Sequence, residues 1–288
     1  MIAKPNADHE SEAHFNPLDY LIGARLPRRY ATLCPSAWIG HVPFGLSVIK
    51  MVEPRILVEL GTHSGVSYCS FCEAINELRL PTRSFAVDTW RGDTHTQAYG
   101  DEIFKELSAH HDDHYAGFSQ LVRSTFDGAL PRFEHGTIDL LHIDGYHTYE
   151  AVKHDFVQWL PKMSDRGIVL FHDIAVRDKP TFEVWRLWEE LKIEYPHFEF
   201  FHSHGLGVLA VGALIPAPLI NLVRASKGEA ERIRHYFAGL GQMLERVQSL
   251  EWGLRTTQCP AIPNEKRSWS IRIADGFSKR FRKIMKKV

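Results

Sequence analysis

Residues 138–155 read IDLLHIDGYHTYEAVKHD. An apolar run ends in Asp144, Gly145 follows, and from Tyr149 onward the apolar residues have the spacing of an amphipathic helix. An apolar run without alternation, followed by a helix, is typical of a strand that is buried on both faces of a parallel sheet. The stretch therefore predicts a strand, a turn and a helix, with a carboxylate where the strand surfaces.

The same alternation extends over most of the chain. Strands are predicted at 55–60, 84–88, 118–124, 138–144, 167–173, 198–203 and 206–212, and helices at 65–78, 97–110, 126–133, 149–160 and 181–195. Helices between strands indicate a mainly parallel sheet covered on both sides. The last two runs are joined by the turn HGLG, so they predict an antiparallel hairpin at one edge. We predict an α/β fold: a doubly wound, seven-stranded sheet with its last strand antiparallel.

Composition excludes several classes of protein. The 288 residues are 44% hydrophobic and 24% charged, with a formal net charge of -1, which indicates a globular protein without a global attraction to nucleic acid. The first residues lack the pattern of a signal peptide, and no apolar run approaches the roughly 18 residues that span a bilayer. We therefore expect a cytoplasmic protein. Cys69 and Cys72 fall on a predicted helix with apolar neighbours and are interpreted as buried thiols.

The chain divides into three predicted regions. A lead or lid segment, 1–50, precedes the sheet domain, 51–215, and a helical extension, 216–288, follows the break IPAPL. Within the extension a long helix is predicted with an apolar stripe, whose members are Ile233, Phe237, Leu240, Leu244, Val247 and Leu254. That stripe needs a partner, which is either the core or the same helix of a second copy. The second choice predicts a homodimer through residues 233–254.

The chain ends in a basic amphipathic segment, residues 277–288, with the sequence FSKRFRKIMKKV. A helix here would place its apolar residues on one face and its lysines and arginines around the rest. Such a helix can lie on an anionic membrane, which predicts peripheral contact at the inner face of the membrane. The alternative is a solvated or disordered end. Because the segment lacks interleaved aromatic platforms, we expect no binding to nucleic acid.

The first predicted strand ends in ELGTHSG, residues 59–65. Glu59 lies at the strand end, and Gly61 and Gly65 lie in the turn to the next helix. In doubly wound sheets, ligands bind beyond the carboxyl ends of the strands, where glycines let backbone N–H groups approach closely. The pattern ExGxxxG differs from GxGxxG, which favours a ligand without a pyrophosphate. Asp88 ends the next strand and can accept both hydroxyls of a ribose; a solvated acid beside a glycine turn is the alternative.

Two further carboxylates end neighbouring strands. Asp144 follows the fourth strand and Asp173 the fifth, so the fold brings them to adjacent points on one edge. Two such oxygen donors at an open cleft suit a divalent cation such as Mg²⁺. His147, one turn beyond Asp144, faces the same cavity and can take the proton of a metal-bound hydroxyl. The alternatives are a helix cap for Asp144, a solvated His147, and an iron triad of His147, His172 and Asp173 in a hydroxylase.

Other residues in these motifs are interpreted mainly as packing. His142 points away from Ile143 within its strand, which predicts a hydrogen-bonded core histidine. The aromatic residues of TFEVWRLWEEL, 181–191, have helical spacing and are predicted to be core. Trp38 is assigned to packing, whereas His41 and His172 either pack or face the ligand.

The order and spacing of VELGTHSGVS, VDTW, IDLLHIDGYHTYEAV and GIVLFHD resemble the successive motifs of class I S-adenosylmethionine-dependent methyltransferases. The likeness is to the small O-methyltransferases that include the macrocin type, a group often found in glycan and natural-product biosynthesis. It runs from about residue 38 to residue 212. The resemblance implies a Rossmann-like fold and methyl transfer to a hydroxyl of a sugar, a glycan or a related small molecule. A cofactor-binding but inactive partner in a glycan-assembly complex is the alternative.

The resemblance also implies a cofactor site. It places the methionine part of S-adenosylmethionine near the first strand end, the ribose on Asp88 with Trp90 nearby, and the adenine at Ser124. The remaining residues of the implied cofactor site are Glu59, Gly61, Thr62, Gly65, Ser67 and Asp144.

For the metal, the family pattern fits only in part. Catechol-type relatives have a basic residue three positions after the first metal aspartate, and the macrocin type has a histidine there, as this chain has His147. Catechol-type enzymes follow the second aspartate with an asparagine ligand, where this chain has Ile174. The third protein ligand is therefore unassigned. The candidates are the carboxylates Glu59, Asp93 and Glu183.

Overall fold

The computed structural model describes residues 15–20, 36–92 and 100–258, with side chains described as far as residue 250. Asp93 and the basic tail, residues 277–288, lie outside the described residues, so the predictions made for them are unchanged.

The described elements alternate as the sequence predicts. The strands are β1 (Ile56–Leu60), β2 (Arg83–Asp88), β3 (Ser119–Arg123), β4 (Ile138–Ile143), β5 (Met163–His172), β6 (His197–Phe200) and β7 (Leu206–Ala210). The α-helices are α1 (Val42–Val52), α2 (Val66–Leu78), α3 (Glu102–His114), α4 (Phe126–Ala129), α5 (Tyr149–Trp159), α6 (Val184–Glu194), α7 (Ala217–Val223) and α8 (Lys227–Gln258). Short 3₁₀ turns lie at Pro17–Tyr20, Ala37–His41, Leu130–Arg132 and Leu160–Lys162.

The seven strands form one sheet in the order β3-β2-β1-β4-β5-β7-β6. Strands β1 to β5 pair in parallel, whereas β7 is antiparallel to both β5 and β6. The predicted Rossmann-like sheet with an antiparallel last strand is confirmed. The strand order runs outward from β1 to β3 on one side, and from β4 it continues on the other side. The ligand edge of such a sheet lies at the carboxyl ends of the strands where this order switches, here β1 and β4.

Each face of the sheet has its own hydrophobic layer because neighbouring strand residues point to opposite faces. Leu57 and Leu140 belong to the layer with α1, α2 and α8, whereas Val58 and Leu141 belong to the layer with α5 and α6. Burial on both sides explains the continuous apolar runs of the central strands.

Some element bounds differ from the prediction. Helix α3 begins at Glu102, and β5 begins at Met163, several residues before the predicted start. The early start of β5 includes an irregular register against β4 between Ile138 and Leu140. Because β5 begins with polar residues, a prediction based on apolar runs places its start too late. Helix α1 runs across residue 50, where the boundary of the lead segment is predicted.

The long helix α8 lies against the body of the same chain. Ile233, Phe237 and Leu244 from its predicted stripe are buried in the layer that contains α1. The core is therefore the partner of these three residues, while Met243 and Leu250 face solvent. Dimerisation through residues 233–254 stays a prediction. None of the described helices combines the length and the apolar character that crossing a membrane requires.

Candidate active site

The turn after β1 depends on two glycines with left-handed backbone angles, φ +86° at Gly61 and φ +81° at Gly65. The Gly61 N–H donates to the carbonyl of Val87 at 3.0 Å. A Cβ on Gly61 would lie 2.1 Å from the carbonyl oxygen of Asp144, so no other residue fits there without a backbone shift. This contact brings the turn after β1 directly against the turn after β4.

Asp88 organises the same turn from the end of β2. Its carboxylate accepts the backbone N–H groups of Thr62 at 2.9 Å, His63 at 2.8 Å and Trp90 at 2.7 Å. The indole N–H of Trp90 donates in turn to the carbonyl of His63 at 2.9 Å. Asp88 therefore stabilises the backbone of the turn, a role that the sequence did not predict. It is half-buried, so the carboxylate still borders the space where the ribose is expected.

Glu59 lies in a buried chain of three side chains. The indole N–H of Trp38 donates to Nε2 of His142 at 3.2 Å, and Nδ1 of His142 lies 2.8 Å from the Glu59 carboxylate. Because an indole only donates, Nε2 must accept, so Nδ1 carries the proton and donates to Glu59. The predicted core role of His142 and the packing role of Trp38 are both seen. Glu59, tied to His142, is outside the group of described residues that can hold a metal.

Two polar atoms beside this turn are buried without a hydrogen-bond partner among the described residues. They are Oε1 of Glu59 and the hydroxyl of Thr62. Buried polar atoms are almost always satisfied, by ligand or water where protein offers nothing. A carboxylate oxygen and a hydroxyl suit the ammonium and carboxylate of an amino-acid moiety, so the residues present fit the methionine part of the implied cofactor.

The remaining predicted cofactor residues lie at the same edge. Ser67 is buried in the first turn of α2, and Ser124 follows β3 with its N–H on the carbonyl of Asp88 at 3.0 Å. An open cavity of about 660 Å³ lies at the ends of β2 and β3. Its lining residues are Trp90, Arg91, Gly100, Asp101 and Arg123.

Asp144, His147 and Asp173 come together at the ends of β4 and β5. Nε2 of His147 lies 2.9 Å from Oδ2 of Asp173 and 4.0 Å from Oδ1 of Asp144. One potential ligand atom from each residue lies within 4.8 Å of the others. The ring of His147 stacks on Phe182, with 4.1 Å between centroids and 9° between planes. The predicted juxtaposition of the two aspartates and His147 is therefore present.

Two more imidazoles contact these aspartates. Nδ1 of His172 lies 3.2 Å from Oδ1 of Asp144 and 3.6 Å from Oδ2 of Asp173. Nδ1 of His204 lies 2.9 Å from Oδ1 of Asp173. The sequence left His172 open and missed His204, which reaches the site from the hairpin turn between β6 and β7. The available signal was the pair of closely spaced histidines in HSHG, residues 202–205.

The aspartates and His172 stabilise one another's charged forms. Burial alone would raise the pKa of Asp144 and Asp173, but nearby His172 outweighs it and lowers both, that of Asp173 well below its usual range. Burial alone would lower the pKa of His172, but Asp173 and Asp144 outweigh it and raise that pKa to about 9. The site thus holds two carboxylates and an imidazolium at neutral pH.

The donor group fits a divalent metal. Two carboxylates and one imidazole are ligands of Mn²⁺, Fe²⁺ or Zn²⁺, whereas Mg²⁺ prefers oxygen alone. Glu183 is not in the group: its N–H donates to the carbonyl of His147 at 2.7 Å, and its carboxylate accepts from the N–H of Tyr149 at 3.4 Å. The two-histidine, one-carboxylate set of the hydroxylase alternative is not the group that the described residues form.

Comparison with known proteins agrees with this arrangement. Residues 58–174 match the family model described as "Methyltransferase domain". This segment is therefore similar to a methyltransferase domain. The matched range begins in β1 and ends just after Asp173, so it contains the glycine turn, Asp88 and the aspartate pair.

The similarity to one curated relative covers more of the chain than residues 58–174. The uncharacterized protein y4gI of Sinorhizobium fredii (strain NBRC 101917 / NGR234) is 45% identical over 214 residues, which are 73% of this chain and 23% of y4gI. The chain thus spans about a quarter of the length of that curated relative.

Solved structures with a similar arrangement include two methyltransferases. A putative caffeoyl-CoA O-methyltransferase from Staphylococcus aureus is 13% identical, with a TM-score of 0.46 over 59% of this chain and 81% of that one. The O-methyltransferase TomG from Streptomyces achromogenes, solved with S-adenosylmethionine, is 15% identical, with a TM-score of 0.46 over 62% of this chain and 82% of that one. What each binds or methylates is a property of that protein.

Proposed function

We propose that the protein is an S-adenosylmethionine-dependent O-methyltransferase that acts on a hydroxyl of a sugar, a glycan or a related small molecule, with help from a divalent metal. The single observation that carries the proposal is the contact between the two strand-end turns. Gly61 of the cofactor turn lies against Asp144, which borders His147 and Asp173. A methyl donor in the first turn would therefore meet an acceptor hydroxyl at the second.

His147 is the proposed general base. Asp173 is charged, so Nε2 of His147, at 2.9 Å, donates to it and the ring accepts the acceptor's proton at Nδ1. Asp173 then stabilises the imidazolium, and stacking on Phe182 fixes the ring plane. When bound, S-adenosylmethionine would supply the methyl group, and His147 would take the proton that the acceptor hydroxyl gives up.

Asp144 and Asp173 would hold the metal, which lowers the pKa of a bound acceptor hydroxyl. The sugar class of the acceptor is supported by the family resemblance, in which a histidine follows the first metal aspartate by three positions.

The first test is calorimetric titration of S-adenosylmethionine. We expect micromolar binding to wild type and at least a ~10-fold loss in Asp88→Ala, since that variant loses both the stabilisation of the turn and the expected ribose contact. Asp113→Ala, which removes an exposed carboxylate from α3, is the matched control and should bind as wild type does. No binding to wild type under any metal condition would refute the proposal.

The second test separates the base role of His147 from a ligand role. His147→Ala should lower methyl transfer to an accepted sugar by roughly 100-fold or more, which is the usual size of a general-base effect. Mn²⁺ affinity should stay within about threefold of wild type if Asp144 and Asp173 provide the essential ligands. A large loss of Mn²⁺ affinity in this variant would instead make His147 a ligand.

A further inference from the structure

The turn between β6 and β7 connects the C-terminal helix to the aspartate pair. The carbonyl of Ser203 accepts hydrogen bonds from Nε2 of His41 at 3.1 Å and from Nε2 of His172 at 3.2 Å. The next residue, His204, contacts Asp173. One short turn thus holds two of the imidazoles that surround the aspartates.

The Ser203 carbonyl decides how His172 faces the site. A carbonyl only accepts, so Nε2 of His172 must carry a proton and Nδ1 is the nitrogen directed at Asp144. If the carbonyl moved, the ring could rotate. The position of this backbone group therefore determines the hydrogen bonds that Asp144 receives.

The turn has a backbone shape that the surrounding protein must maintain. Ser203, His204 and Gly205 have φ angles of +48°, +71° and +87°, all in the left-handed region. That region is unfavourable for serine and histidine, which persist there only when other contacts hold them.

Those contacts come from α8 and from the 3₁₀ turn Ala37–His41. The Ser203 hydroxyl donates to the carboxylate of Glu245 on α8, and His202 donates from Nε2 to the carbonyl of Gly40 at 3.1 Å. A Cβ on Gly241 would lie 2.2 Å from that same carbonyl oxygen, and a Cβ on Gly40 would lie 1.9 Å from the Ser203 hydroxyl. The helix, the 3₁₀ turn and the hairpin turn meet without room for another atom.

We propose that α8 is a positioning element of the active site: Glu245, through Ser203, holds the hairpin turn that sets His172 and His204 against Asp144 and Asp173. Glu245 touches none of the reacting groups and acts only through the turn. The residue lies outside residues 58–174, the range that matches the family model. The inference rests on the proposed function only where it concerns metal binding and turnover.

The test compares Glu245→Ala with Glu245→Gln in the full chain. Glutamine keeps an oxygen that can accept from Ser203, whereas alanine removes it. Glu231→Ala is the matched control, since Glu231 is an exposed glutamate of the same helix. Thermal melting should show all variants folded.

The decisive readout needs neither metal nor acceptor. In protein labelled with ¹⁵N-histidine, long-range NMR correlations report the surroundings of each ring nitrogen, and the signal of His172 is identified by its loss in His172→Asn. We expect the same His172 signal in wild type, Glu245→Gln and Glu231→Ala, and a shifted or exchange-broadened signal in Glu245→Ala. An unchanged His172 signal in a folded Glu245→Ala would overturn the proposal.

Titrations with Mn²⁺ and with S-adenosylmethionine add a functional readout. Glu245→Ala should weaken Mn²⁺ binding by about 10-fold, the usual effect of losing an outer support of a metal ligand, with S-adenosylmethionine affinity within about twofold of wild type. Equal losses for both ligands would mean general damage and would contradict a positioning role. If wild type binds no Mn²⁺, the metal part of the proposed function fails, while the NMR result still decides the role of Glu245.

Discussion

At the scale of single residues, buried hydrogen bonds connect Trp38, His142 and Glu59. They join the 3₁₀ turn Ala37–His41 to the central strands β4 and β1. Each ring nitrogen of His142 has one partner, and all three side chains are buried. Removing one member leaves a polar atom without a partner in a region that water does not reach. These hydrogen bonds therefore contribute to stability as well as to the orientation of Glu59.

Trp38→Phe tests this contribution. The variant keeps an aromatic ring but leaves Nε2 of His142 without its donor, which should lower the free energy of unfolding by about 1–3 kcal/mol. Trp159→Phe is the control, because the Trp159 indole N–H is buried without a partner among the described residues. Urea denaturation should therefore show a smaller loss for Trp159→Phe, and equal losses would mean that ring size alone is responsible.

Asp155 predicts a pH dependence of stability. Burial raises its pKa to about 7, with Asp127 adding to the effect and His154 opposing it. Because the folded pKa lies above the unfolded value, the stabilising contribution is fully present below about pH 4 and is lost as pH rises through about 7. Asp155→Asn should therefore be more stable than wild type at about pH 8, by at most about 4 kcal/mol, and no more stable near pH 4.

Urea denaturation across this pH range checks the prediction, with Asp113→Asn as a control because Asp113 is an exposed carboxylate on another helix, α3. A difference between Asp155→Asn and wild type that did not change with pH would contradict it.

Residue types and strand order were enough to predict part of the site. Asp144 and Asp173 each follow an apolar run, and the carboxyl ends of parallel strands share an edge, so their proximity follows from topology. His204 and Glu245 could not be predicted in this way. They reach the site through a left-handed hairpin turn and a helix from outside the sheet, and neither feature has a periodic pattern in the sequence.

At the scale of elements, apolar periodicity predicted the strands and helices because burial on one or two faces gives each element a distinct repeat. The exceptions are the ends, such as the polar start of β5, where pairing with β4 rather than apolar character maintains the strand. The partner of α8 was also open in the sequence. An apolar stripe indicates that one face of a helix is buried, but it does not indicate which part of the protein packs against that face.

The docking of α8 depends on a close backbone contact. Gly241→Ala would place a Cβ 2.2 Å from the carbonyl oxygen of Gly40, which should destabilise the protein by about 1–3 kcal/mol. Gly239→Ala is a control in the same helix with no atom within 4 Å of the added Cβ. That change should stabilise by up to about 1 kcal/mol because alanine favours a helix over glycine. Denaturation curves that moved in the same direction for both variants would argue against the contact.

At the scale of the whole molecule, the basic tail predicts peripheral contact with a membrane. Each lysine or arginine near an anionic surface adds roughly 1 kcal/mol, so residues 277–288 should bind vesicles that contain phosphatidylserine. Cosedimentation should fall to background when the chain is truncated after residue 276, and raised salt should weaken binding of the full chain. Binding that survives truncation would assign the contact to another surface.

At the scale of the whole molecule, a homodimer through α8 also remains a prediction. The exposed Met243 and Leu250 are the described apolar residues that a second copy of the helix would cover. Sedimentation at micromolar concentration should then show a dimer that Leu250→Lys weakens. A monomer in wild type would remove the prediction.

The contact between Gly61 and the Asp144 carbonyl would link the occupancies of the two proposed ligands. A bound methyl donor would restrain the turn after β1, and through that contact the position of Asp144, so it would change the affinity of the cation beside it. Thermodynamics requires the effect to be mutual, with the cation changing the affinity for the methyl donor by the same factor. S-adenosylhomocysteine would fill the same turn and share much of this coupling. If each ligand strengthens the binding of the other, the cation would be retained from one turnover to the next while donor and product exchange.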